Sequence, residues 1–147
     1  MKKLLFNSAN PFNLDLGLLI IRIIMGLLMA FYGYEKLINF ETMAASDFWA
    51  KNISFLGMSG KIPLALTIFA ELFCSLLLII GLFSRFSLLV LMFCMAYIFV
   101  IVFPMSIVDK GENGYQFNDA FVYFCIYLGL FFTGVGNFSL ESKILKK

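Results

Sequence analysis

The 147-residue chain contains no histidine. This excludes histidine-ligated haem, histidine metal sites and every histidine-dependent triad, so any chemistry falls to carboxylates, Lys, Arg, Tyr, Cys or a borrowed cofactor. Charge is also scarce. Only 14% of residues are charged while 62% are hydrophobic, where soluble proteins run at roughly 25% and 45–50%. A water-soluble domain of this length could not hide so much apolar surface. Cysteine is sparse and dispersed: Cys74, Cys94 and Cys125 each stand alone inside an apolar run with no CxxC pair, a pattern of buried single thiols rather than a disulfide framework. The net charge of +2 comes from scattered cations, with no basic block to make a nucleic-acid footprint.

The chain is rich instead in apolar runs long enough to cross roughly 30 Å of hydrocarbon, with nineteen Phe and a mean hydropathy of +0.96. Four spans are expected, over residues 16–38, 62–83, 87–103 and 120–135. Each must be a helix, because a lone strand in lipid would leave its backbone groups unpaired. The expected fold is therefore all-α, an integral membrane antiparallel four-helix bundle forming one domain over residues 1–147, with the bilayer as its first partner. The fourth span is the shortest, and Asn118 or Asp119 would cap it. Residues 39–61 carry Trp49 among apolar and charged neighbours, which suits a short interfacial helix with the indole at headgroup depth. Ser84 and Arg85 join the second and third spans in a tight hairpin, and residues 104–118 form a polar loop opened by Pro104. Residues 1–15 carry two lysines but no cleavage site and read as a retained tail. One side of the membrane collects Lys2, Lys3, Arg85, Lys143, Lys146 and Lys147, against Lys51, Lys61 and Lys110 opposite. That asymmetry puts both termini in the cytoplasm of a bacterial inner membrane.

Two charges stand inside spans. Arg22 lies about 9 Å into the first helix at 1.5 Å per residue, and Glu71 is close to mid-membrane in the second. A central charge costs about 2.5–3.5 kcal/mol on insertion scales, so both must face the bundle interior. At 100° per residue, Arg22, Gly26, Met29, Gly33 and Lys36 form one stripe. Leu64, Thr67, Ser75, Leu78 and Leu82 share the face of Glu71. An Arg22–Glu71 ion pair would neutralise both charges, with Lys36 the competing partner. Such a pair either fixes helix register or borders a polar cavity for a small polar or quinone-like molecule. In the second case Tyr32, Tyr34, Tyr123 and Tyr127 would line the cavity, and Glu71 would exchange a proton. Arg85 at the hairpin would anchor the chain and cap carbonyls at the end of the second helix.

These landmarks resemble the DoxX family of small four-helix membrane proteins. The likeness covers residues 14 to 142: Arg22 with Gly26, "FYGYEKL" ending at Leu37, "AELFCSLLLIIGLFSRF" with Glu71, Gly81 and Arg85, and "GVGNFSLE" at 134 to 141. Tyr32 stands where a His often precedes the glycine, and Glu141 replaces the usual Asp. Because the related DoxD proteins are subunits of a thiosulfate:quinone oxidoreductase, the resemblance implies a component of a membrane oxidoreductase with a quinone as cofactor. It directs attention to Arg22, Lys36, Glu71 and Arg85. The chain has no cofactor fingerprint and no CxxC pair of its own, so electrons would need a redox partner subunit or a bound quinone. The competing readings are a small-molecule or proton-coupled transporter, which for so short a chain would need a homodimer for alternating access, and a structural membrane subunit.

Overall fold

A computed structural model describes residues 13–55, 57–102, 106–111, 114–134 and 136–145. The expectations resting on Lys2, Lys3, Lys146, Lys147 and Pro104, and the final residues of the third and fourth spans, Phe103 and Val135, lie outside the described residues. Helix α1 runs Leu14–Ile38, α2 Phe40–Ala45, α3 Lys61–Ile80, α4 Ser84–Val102 and α5 Asp119–Thr133, with a final α6 at Leu140–Leu145. Three of these, α1, α3 and α4, are long and apolar enough to cross a membrane, and α5, at 15 residues, is the shorter fourth. The protein is an all-α membrane bundle. Two small antiparallel ribbons were not foreseen: β1 (Ser54–Phe55) pairs with β2 (Met58–Ser59), and β3 (Val108–Gly111) pairs with β4 (Gly114–Phe117).

The outward faces of the spans carry Ile24, Phe31, Phe73, Leu76, Leu89 and Phe93 in the open. Water would reject such a surface and hydrocarbon accepts it. The interior holds a core of Leu18, Met29, Leu78, Leu88, Leu91, Tyr127 and Leu130. Polar groups are buried there as well, among them Arg22, Glu71, Ser75, Ser84 and Ser87. The stripe on α1 is as expected, since Arg22, Gly26, Met29 and Gly33 are all buried.

Local chemistry sets the helix ends. Asn13 caps α1 by accepting from the Leu16 N–H at 3.0 Å, and Asn118 caps α5 by accepting from Phe121 N–H at 3.2 Å. Asn118 thus takes the cap, and Asp119 becomes the first helical residue. Helix α3 stops at Ile80 because Gly81 enters the left-handed region at φ 74°. From there Gly81 N–H reaches Leu78 O at 3.1 Å and Leu82 N–H reaches Leu77 O at 3.0 Å, the Schellman pattern that satisfies the last carbonyls. The second span therefore ends three residues earlier than expected.

The glycines on α1 fix its register against the antiparallel α3. A Cβ at Gly33 would stand 2.6 Å from Leu72 N, and one at Gly26 would stand 3.2 Å from Ser75 O. Gly33 thus faces the middle of α3 and Gly26 a position one turn further on. Residues 39–61 also depart from the expected interfacial helix. After α2 the chain makes a π turn over Phe48–Asn52 and then the β1–β2 ribbon. Trp49 is only 5% exposed, packed with Ala44, Ile53, Leu64 and Ile68, so its indole supports the loop from beneath instead of facing headgroups.

At the opposite end of the bundle, residues 136–145 fold back onto α1, α3 and α4. Arg22 Nη2 donates to Phe138 O at 2.8 Å, and the Asp15 carboxylate accepts from Asn137 N–H at 2.8 Å and from its side-chain amide at 3.0 Å. Glu141 Oε2 accepts from Ser84 N–H at 3.1 Å, while its own N–H donates to Gly81 O at 3.0 Å. A carboxylate from a distant segment thus serves the N-terminus of α4, where Ser84 follows a residue with no capping side chain. Glu141→Ala should lower stability by about 0.5–2 kcal/mol, the scale of a lost cap. Unfolding of the detergent-solubilised variant reads this directly, and an unchanged midpoint would remove the cap from the description.

Candidate functional site: an ion pair in a cavity wall

Glu71 stands in a π-helical segment, Phe69–Cys74, in the middle of α3. Such widened turns lose regular i→i+4 bonding, and they occur often at functional sites. The Glu71 side chain is 2% exposed and its Oε2 pairs with Lys36 Nζ, whose side chain is 18% exposed. Lys36 lies in the last turn of α1, where a cation also meets the negative end of the helix dipole. From there its flexible stem descends one turn below its own Cα, past Gly33, to the carboxylate.

The expected Arg22–Glu71 pair does not form. Gly33 sits against Glu71 and Leu72, which leaves Arg22 eleven residues, or about 16 Å of helix rise, towards the other end. Arg22 is instead 1% exposed in the fold-back, bonded to Phe138 and beside Gly81. Its role is to hold the closing segment. Lys36, the competing partner, is the one that meets Glu71.

A cavity of about 340 Å³ opens beside the pair. Its walls come from α1 (Met29, Tyr32, Lys36), the π segment of α3 (Glu71), α4 (Met95, Ile98), strand β4 with Asn118, and the first turn of α5 (Asp119, Ala120, Tyr123). The Tyr32 and Tyr123 rings meet edge to face, with centroids 6.4 Å apart. Lys36 Nζ lies 5.9 Å from the Tyr32 centroid, within the range of a cation–π contact.

Of the residues singled out in the sequence, Tyr32, Lys36, Glu71 and Tyr123 come together at this cavity. Arg22, Ser75 and Arg85 do not line it. Ser75 is fully buried one turn below Glu71, and its hydroxyl, like those of Ser84 and Ser87, makes no hydrogen bond among the described residues. Arg85 is exposed in the first turn of α4. It does not cap α3, because the backbone of Gly81 and Leu82 already serves those carbonyls. Tyr127 is buried behind the wall, stacked on Tyr123 at 6.1 Å, and Tyr34 is exposed on the other side of α1. Cys74 is buried, Cys94 half-buried and Cys125 exposed, so Cys125 departs from the expected burial. Sequence reasoning missed Asn118, Gln116 and Met95 as wall residues. The β3–β4 ribbon and the hairpin return of α4 bring them in, and no local signal marks either. Among the described residues no group of three Cys, Asp or Glu converges as a metal site would.

These features define an integral membrane helical bundle with an ionisable pair set in the wall of a small cavity. The family model described as DoxX matches residues 17–104, more than half of the chain, and the protein belongs to the DoxX family. The matched stretch runs from α1 through α4 and contains Arg22, Lys36, Glu71 and Arg85, whereas α5 and the 134–141 landmark lie beyond it. No curated protein and no solved structure matches the chain.

Proposed function

We propose that this DoxX protein is a component of a membrane oxidoreductase system in the bacterial inner membrane. Both its ends lie on the cytoplasmic side, and its cavity receives a quinone-like ring. The observation that carries this reading is the Lys36–Glu71 pair in the wall of a cavity of about 340 Å³ that Tyr32 and Tyr123 also line. The residues fit such a ring: Lys36 Nζ can donate to a ring carbonyl oxygen, and the two tyrosines offer aromatic surface on which a flat molecule rests. Glu71 holds the amine in place by accepting from it, and its carboxylate is the group able to keep a proton within the wall. A quinone bound there would supply two-electron, two-proton chemistry. Electrons would arrive through a redox partner subunit, because this chain has no cofactor fingerprint and no CxxC pair.

The test is to purify the protein in mild detergent and identify what co-purifies. Wild type should retain a lipid-soluble quinone that Lys36→Met loses. Wild type free of quinone would overturn the assignment. If proteoliposomes of that protein also showed proton-driven uptake, lost in Glu71→Gln, the function would move to transport.

A further inference from the structure

A second hollow of about 260 Å³ lies between α3 and α4, with Trp49 and Ile53 at its outer end. Along α3 it runs from Pro63 to Ala70, which is about 10 Å of helix rise. Its lining is mostly apolar; the polar side-chain groups in it are the Thr67 and Tyr97 hydroxyls, the Trp49 indole N–H and the Cys94 thiol, and the Thr67 hydroxyl is spent on Pro63 O at 2.9 Å. Leu66, Phe69 and Phe93 stand exposed at its rim on the lipid-facing surface of the bundle. The apolar slot and the polar cavity share one wall residue, Ile98. On α3 they are bordered by consecutive residues, Ala70 on the slot and Glu71 on the cavity.

We infer that the cavity and the slot form one two-part site for an amphipathic molecule, whose polar ring lies against Lys36 and Glu71 and whose hydrocarbon tail passes Ile98 into the slot. This rests on the reading that the cavity takes a quinone-like ring. The slot is walled mostly by hydrocarbon and aromatic surface, so a hydrocarbon tail fits it with little loss of hydrogen bonds. Its rim faces the bilayer, from which a tailed molecule arrives. Ile98 is the partition between the two halves and therefore sets which ligands span both.

The test uses two fully substituted dimethoxybenzoquinones that differ only in carrying a methyl or a decyl group at one ring position. Binding is measured to the protein in lipid nanodiscs. Cys94, which lines the slot, is the reporter in a Cys125→Ser background, labelled with N-ethylmaleimide. Both homologues should bind, the decyl form about tenfold more tightly, roughly the gain from two buried methylenes. Only the decyl form should shield Cys94. Leu66→Trp, on the lipid-facing rim, should abolish the advantage of the decyl form and leave the methyl form unchanged. Equal binding of the two homologues, with Cys94 labelled alike, would overturn the two-part site and leave the quinone reading standing. Binding of neither would overturn both.

Discussion

Replacing Gly81 with alanine should cost about 2–5 kcal/mol, seen as a lowered midpoint for thermal or SDS unfolding in detergent. The left-handed backbone at φ 74° accounts for about 1–2 kcal/mol of this once a Cβ is present. The rest is steric. That Cβ would fall 2.6 Å from Ser139 Cβ and 3.0 Å from both Ser139 Cα and Arg22 Nη1, and forced overpacking of this kind costs about 1–3 kcal/mol. The same atom would press on the segment that Arg22 holds through Phe138 O, so the fold-back of residues 136–145 should loosen along with the end of α3. A midpoint within error of wild type would mean that α1, α3 and the closing segment do not meet at Gly81.

Glu71→Gln should cost about 3 kcal/mol by the same unfolding measurement, the lower end of the range for breaking a buried pair by removing one partner. The lower end applies because Lys36 keeps 18% of its side chain exposed and can draw partial solvation from the cavity. Removing both charges is a different case. Lys36→Met with Glu71→Leu should return stability to within about 1 kcal/mol of wild type, because neither charge is then left without its counterpart in a low-dielectric interior. If the double variant is as unstable as the single one, the two side chains are not energetically coupled.

The bundle was legible in the sequence because lipid imposes a simple rule: each span must satisfy its own backbone and present apolar side chains outward. The α1 stripe was legible for a related reason. Arg22, Gly26, Met29, Gly33 and Lys36 repeat at helical spacing, and all but Lys36 are buried. The partner of Glu71 was not fixed by that pattern, since two cations share the stripe and only the axial offset of α1 against α3 chooses between them. The close approach of Gly33 to Leu72 decides that offset, and packing of this kind is a property of two helices together. The π segment around Glu71 was equally hidden, because no glycine or proline interrupts residues 69–74. Trp49 misled because its flanking charges suit an interfacial anchor, whereas the loop folds over it. The landmark at 134–141 was visible as a string of residues. Its purpose, placing Asn137 on Asp15, Phe138 on Arg22 and Glu141 on Ser84, needed the tertiary fold.

Ring binding separates a functional ion pair from one that merely sets helix register. The decisive measurement is the affinity of the methyl-substituted benzoquinone for wild type and for the stable Lys36→Met, Glu71→Leu variant, each in nanodiscs. Saturable binding to wild type that the folded double variant lacks is the expected result. Equal affinity for the two proteins would contradict a site built on Lys36 and Glu71.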